Sequence, residues 1–238
     1  MVERDSVSAG EFFMKAVLIV LAIAAIAGGL VFWWLWEKKR AEAWQALAKT
    51  LGMTFHGKGG SFDEPGFGIF ESGYKKRAKN YVSGEMRGAK VRIADYTYQT
   101  RSVRSSNRSS SKSHTQTVFM IDSPALSIPQ FSLKREFAAL NFLGNMLGGQ
   151  DIDFSEDEAF SKAFILRGEN ESATRAAFQA PVREVLMRHK GSELELEGAE
   201  SVLVAHWDAR RKPEEVLKVL DDLFDLVDAF ANATNAEA

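Results

Sequence analysis

Residues 78–100, AKNYVSGEMRGAKVRIADYTYQT, decide the fold. Two alternating runs, 78–86 and 89–100, flank Arg87-Gly88, and a two-residue break between such runs reads as a β-hairpin. Working outward, FGIFESG at 67–73 also alternates as a strand does. QTVFMIDSP at 116–124 is apolar on both faces, the mark of a strand covered on both sides. These runs predict an antiparallel sheet.

The second half predicts helices that cover it. FSLKRE at 131–136 and FILRG at 164–168 read as strands, and FAALNFLGNMLGG at 137–149 as a short helix. NESATRAAFQAPVREVLMRHKG at 170–191 places Phe178, Val182, Val185 and His189 on one helical face. Pro181 fits there as a kink or as a first-turn residue. ELELEG and SVLVAHW, 193–198 and 201–207, predict a hairpin. From Pro213 a long amphipathic helix aligns Val216, Leu217, Leu220, Leu223, Phe224, Val227 and Phe230, and the tail at 232–238 is expected to fray. The class is α+β, a mainly antiparallel sheet covered by helices that include the long C-terminal one.

Before the sheet stands AVLIVLAIAAIAGGLVFWWLW, residues 16–36, without a charge. At about 1.5 Å per residue it reaches roughly 31 Å as a helix, the thickness of a bilayer's hydrocarbon core. It reads as a transmembrane helix. Trp33, Trp34 and Trp36 crowd its end at headgroup depth, followed by the bases Lys38, Lys39 and Arg40. The positive-inside bias puts residues 37–238 in the cytoplasm and a short N-terminus, 1–15, outside. Ala24 with Gly28 and Ala25 with Gly29 have the small-xxx-small spacing that lets two spans pack as a homodimer. A juxtamembrane helix over 37–52 follows, with Trp44, Leu47, Ala48 and Leu51 on one face and Gly52 as its cap. The expected order is therefore 1–15, the span 16–36, the helix 37–52, an α+β domain at 53–231 with a sub-boundary near 125–150, and the tail.

Composition narrows the chemistry. The 238 residues contain no cysteine, which excludes disulfides and thiolate metal sites. Net charge is −2, but residues 37–121 hold sixteen Lys and Arg against seven Asp and Glu, whereas 122–238 hold twelve against twenty-two. Either the halves pair with each other, or the basic half meets the anionic lipid of a cytoplasmic leaflet. Residues 52–59, GMTFHGKG, fit a phosphate-loop spacing, but glycine stands where Ser or Thr should hold magnesium, and no strand precedes. His56, His114, His189 and His206 show no metal-ligand spacing. His189, near a helix C-terminus, reads as a dipole-favoured cation. Asp151 and Asp153 read as turn or cap residues. No cofactor or metal is expected.

The unusual segment is RSVRSSNRSSSKS at 101–113, with Arg101, Arg104, Arg108 and Lys112 among serines and no acid. Such a composition cannot build a core and predicts a mobile loop between strands that contacts anions, lipid headgroups above all. Nucleic acid is disfavoured because no aromatics are interleaved.

The ordered blocks ALAKTLGM, RAKNYVSGEMRGAKVRIADYTYQT, TQTVFMIDSP, FSLKRE, DIDF and FSKAFILRGENES, behind a span ending in aromatics and bases, resemble an uncharacterised bacterial family of single-span membrane proteins. The resemblance implies an inner-membrane anchor and no particular activity. The expected function is a non-enzymatic cytoplasmic module that binds a protein partner or anionic headgroups through its basic half. The alternatives are a hydrolase assembled from distant segments, using His114 or Asp95, and a structural subunit of a membrane complex.

Overall fold

A computed structural model describes residues 3–58, 62, 64–103, 109–135 and 151–235. The chain divides into two compact units, Met1–Ala43 and Trp44–Ala238. In the first, helix α1, Glu3–Thr50, exposes every side chain from Phe12 to Trp36. Its most apolar window has a mean hydropathy of 2.6 and none of it is buried, so this helix is long and apolar enough to cross a membrane. The apolar run and the segment after it lie in this one helix.

The second unit begins with the last turns of α1, where Trp44 and Ala48 are buried. Gly52, at φ +68°, closes the helix in the left-handed conformation, and the Met53 N–H returns to the Ala48 carbonyl. Eight strands follow: β1 Thr54–Lys58, β2 Tyr74–Met86, β3 Ala89–Val103, β4 Ser109–Asp122, β5 Ile128–Arg135, β6 Phe164–Gly168, β7 Leu194–Glu200 and β8 Val202–Trp207. They form one sheet in the order β1-β2-β3-β4-β8-β7-β5-β6, with every pair antiparallel. Strands from before and after 125–150 share this sheet, so the sub-boundary does not divide the fold. Arg87 and Gly88, both at positive φ, make the expected two-residue turn between Met86 and Ala89.

Alternation along each strand sends side chains to two different covers. On the helix face, Val91, Ile93, Phe119, Ile121, Leu133 and Leu203 pack with Phe178, Val182, Leu186, Leu220, Phe224 and Phe230. Those come from α5 Ala180–Met187, α6 Val216–Asn235 and Phe178 in the break between α4 Glu171–Ala177 and α5. On the opposite face, Tyr96, Tyr98, Val118, Met120 and Val204 lie under Phe62, Phe67, Ile69 and Phe70. This second cover is a strap containing the short helix α2, Gly68–Glu71.

Four expectations need correction. Residues 68–71 form a helical turn rather than a strand, because the adjacent Ile69 and Phe70 are both buried, which alternation would forbid. The helix expected at 170–191 is two: Pro181 occupies the first turn of α5, and Phe178 at the break points into the core. The serine-rich segment is largely strand, since the β3–β4 ladder continues without a register shift to Val103 and Ser109, and backbone pairing does not depend on apolar side chains. At the C-terminus α6 continues through Asn235 with Ala233 buried, so packing holds residues that composition alone leaves frayed. The helix expected at 137–149 lies outside the described residues. The short helix α3, Glu158–Ser161, is capped by Asp157, whose carboxylate accepts the Phe160 N–H.

Candidate functional site

The β2–β3–β4 ribbon is the candidate binding surface. Its outer stretch, 74–84, 96–103 and 109–117, contains Lys75, Lys76, Arg77, Lys79, Arg101 and Lys112 and not one carboxylate. None of these cations takes part in an ion pair among the described residues. Several cations elsewhere are matched: Arg87 with Asp221 at 2.6 Å, Arg92 with Glu64 at 2.6 Å, Arg188 with Asp225 at 2.8 Å. Some of these pairs join the two halves, as Arg87–Asp221 and Lys90–Asp122 do, and others lie within one half, as Arg92–Glu64 and Arg188–Asp225 do, while the ribbon stays positive among the described residues.

Strand geometry sorts the cations by face. Thr100 pairs with Lys112, and Arg101 pairs with Ser111, so Arg101 and Lys112 project from opposite sides. Arg77 opposite Thr97 and Lys79 opposite Asp95 lie on the same side as Arg101. A register shift between Tyr74 and Arg77, with Lys75 at φ +54°, bends the edge there. The Tyr74 ring carries the Arg101 guanidinium 5.1 Å above it and the Lys75 ammonium at 5.8 Å. Lys76 is tied to the Phe70 carbonyl.

A second group is a polar row on the strap face: Tyr98 of β3, Gln116 of β4, His206 of β8, Glu195 and Glu197 of β7, Ser132 and Lys134 of β5. His206 Nε2 stands 3.9 Å from both Glu195 Oε2 and Glu197 Oε1, and Lys134 Nζ is 2.5 Å from Glu195 Oε2. Glu197 also accepts the N–H groups of Gly68, at 2.5 Å, and Ile69, at 3.1 Å, which fastens the strap to the sheet. Burial pushes the Glu197 carboxyl up, but the His206 ring and the two backbone N–H groups outweigh it and hold it below its ordinary value. Tyr98 is pushed up to about 12, first by burial and then by Glu195, Asp208 and Glu197.

This row does not assemble nucleophilic chemistry. Among the described residues neither ring nitrogen of His206 nor the Ser132 hydroxyl has a hydrogen-bond partner, so within this row no base is joined to a nucleophile. Ser113 and His114 fall on opposite faces of β4. His114 stacks on Tyr98 at 4.8 Å and meets Thr100 Oγ1 at 3.0 Å, and burial lowers its pKa, with Lys112 adding to the effect. Asp95 is buried between Asn80 and Thr117, each at 2.8 Å. His56 does meet Ser83 Oγ at 2.8 Å, but no carboxylate among the described residues bonds to its ring. A cleft of about 360 Å³ is lined by Trp207, Arg210, Arg211 and Glu215, where Arg211 lies 4.3 Å over the Trp207 ring and 4.0 Å from Glu215. No cluster of metal-ligating side chains occurs among the described residues.

No family model matches the sequence, and a comparison with curated proteins finds no match. Among solved structures, the chain is similar to the crystal structure of the mycobacterial trehalose monomycolate transport factor A, TtfA. The TM-score is 0.55 at 13% identity, over 82% of this chain and 93% of that one. The likeness is one of fold: nearly all of that chain finds a counterpart in the α+β architecture described above.

The residues expected from sequence land unevenly. Arg101 and Lys112 are exposed on paired strands, while Arg104 and Arg108 lie outside the described residues. Trp33, Trp34, Trp36, Lys38 and Lys39 are exposed along α1, with Lys38 5.7 Å above the Trp34 ring, whereas Arg40 is only 9% exposed. His189 differs from its reading as a favoured cation, because burial pushes its pKa down and favours the neutral ring. Asp151 keeps a local role by accepting the Leu166 N–H at 2.9 Å. Sequence reading passed over the run Lys75 to Lys79. It also passed over Glu195 and Glu197, which alternate with Leu194 and Leu196 like solvent-facing residues of a half-buried strand.

Proposed function

We propose that the protein is a non-enzymatic interaction module anchored in a bacterial inner membrane, which binds a protein partner or anionic headgroups through its basic half. Residues 1–15 lie outside, 16–36 span the bilayer, and 37–238 face the cytoplasm. The observation that carries this reading is the outer ribbon, whose six cations take part in no ion pair among the described residues, in the same chain as an exposed apolar helix of spanning length. The absence of cysteine makes the topology directly testable. In Ser6→Cys and Lys190→Cys variants, a membrane-impermeant maleimide applied to intact cells should label position 6, and position 190 only after permeabilisation. The reverse pattern would overturn the orientation.

A second reading, a structural subunit of a membrane assembly, is favoured by the similarity to a protein described as a transport factor. It expects specific proteins to co-purify after mild detergent extraction and to be lost when residues 16–36 are exchanged for an unrelated span. Co-purification that survives the exchange would assign the contact to the folded domain instead.

A further inference from the structure

The geometry points to one face of the outer ribbon as a docking surface for anionic lipid headgroups, made by Arg77, Lys79 and Arg101. The inference rests on the membrane-anchored reading and specifies the ligand of its basic half. These three cations share a face with Thr97, Gln99, Ser111, Ser113 and Thr115. Arg77, Arg101, Ser111, Ser113 and Thr115 are exposed, and Thr97 and Thr115 meet through their hydroxyls at 3.1 Å. The nearest acid on this side, Asp95, is 3% exposed and engaged by Asn80 and Thr117.

The chemistry of this face selects the ligand. Guanidinium groups bind phosphate oxygens in paired hydrogen bonds, and neighbouring hydroxyls add donors. The Arg101 guanidinium lies over the Tyr74 ring, and no carboxylate among the described residues pairs with it. A protein interface ordinarily has an apolar centre, and the residues between these cations are all polar. Nucleic acid would call for open aromatic platforms, whereas the Tyr74 ring is already covered by Arg101 and Lys75. A span in the same chain keeps the ribbon at a high effective concentration near a bilayer, where each base gains about 1 kcal/mol.

The test uses the full chain in proteoliposomes of phosphatidylcholine, with or without phosphatidylglycerol. A fluorophore on Ser111→Cys reports energy transfer to headgroup-labelled lipid. Transfer should rise when phosphatidylglycerol is present, and it should fall back in about 1 M salt, where the screening length is about 3 Å. In the triple variant Arg77→Gln, Lys79→Gln, Arg101→Gln, the apparent affinity for the anionic surface should drop at least about tenfold. The double variant Arg77→Lys, Arg101→Lys, which keeps the charge and loses the paired hydrogen bonds, should fall between the parent and the triple variant. Equal transfer in both lipids, or a rise that the triple variant keeps, would overturn the proposal. Protection of position 111 in native membranes but not in phosphatidylglycerol vesicles would also overturn it and assign the face to a protein. Both leaflets of these vesicles carry the anionic lipid, so the result does not depend on orientation, and failure of the topology reading remains separately visible.

Discussion

The two faces of the sheet are covered by different means. On the helix face, three helices bury an aromatic cluster in which Phe178 lies 4.8 Å from Phe131 and 5.3 Å from Phe230. On the strap face a single turn of helix and its flanks lie over a row that contains His206, Glu195, Glu197 and Lys134. The first cover is held by a large apolar area, the second by the smaller cluster of Phe62, Phe67, Ile69 and Phe70 together with the two hydrogen bonds to Glu197. A cover of the second kind is fixed in position at a few points, and each point can be removed by one substitution.

The largest effect should come from the helix face. Phe178→Ala removes a fully buried ring and should cost about 3–5 kcal/mol of unfolding free energy, measured by denaturant titration. A loss below about 1 kcal/mol would show that the helical cover is not the principal core.

Glu197→Ala should cost less, about 2–3 kcal/mol, because it leaves the buried N–H groups of Gly68 and Ile69 without an acceptor. Hydrogen exchange should speed up at 67–72 and not in α6. The pH dependence has a defined sign. The folded carboxyl titrates below its ordinary value, so its contribution is complete above about pH 4.3 and is lost as pH falls through the lower folded value. Glu197→Gln should therefore flatten the acid limb of the stability profile.

Tyr98 gives the alkaline counterpart. Its folded pKa of about 12 exceeds the unfolded value of 10, so the contribution is present below about pH 10 and lost as pH rises towards 12. Tyr98→Phe should remove a late step from the tyrosine absorbance titration and reduce the loss of stability between about pH 10 and pH 12. The smallest effect should come from the bare ribbon. The triple variant at Arg77, Lys79 and Arg101 should alter unfolding free energy by less than about 0.5 kcal/mol, which separates binding from folding.

The sequence made much of this legible. Turn residues at 87–88, alternation in β7 and β8, and the 3.6-residue pattern of α6 are local signals, and the structure contains each of those elements. The continuous helix from the apolar run into Trp44 and Leu47 was legible for the same reason. The outer ribbon was not, because serine and arginine have no period that distinguishes an extended ladder from a loop. The polar row escaped for another reason. Glu195 and Glu197 alternate with leucines as they would on a wet surface, and no property of residues 193–198 announces that Gly68 and Ile69 will bond to Glu197.

By itself the sequence determined the exposed apolar helix, the α+β class and the uneven distribution of charge, since each depends on neighbours along the chain. Tertiary structure alone decided which charges are neutralised and which remain. That choice depends on strand order and register: β4 beside β8 joins the two halves of the chain in one sheet, and the two-residue alternation gathers Arg77, Lys79 and Arg101 on a face where, among the described residues, none of the three takes part in an ion pair.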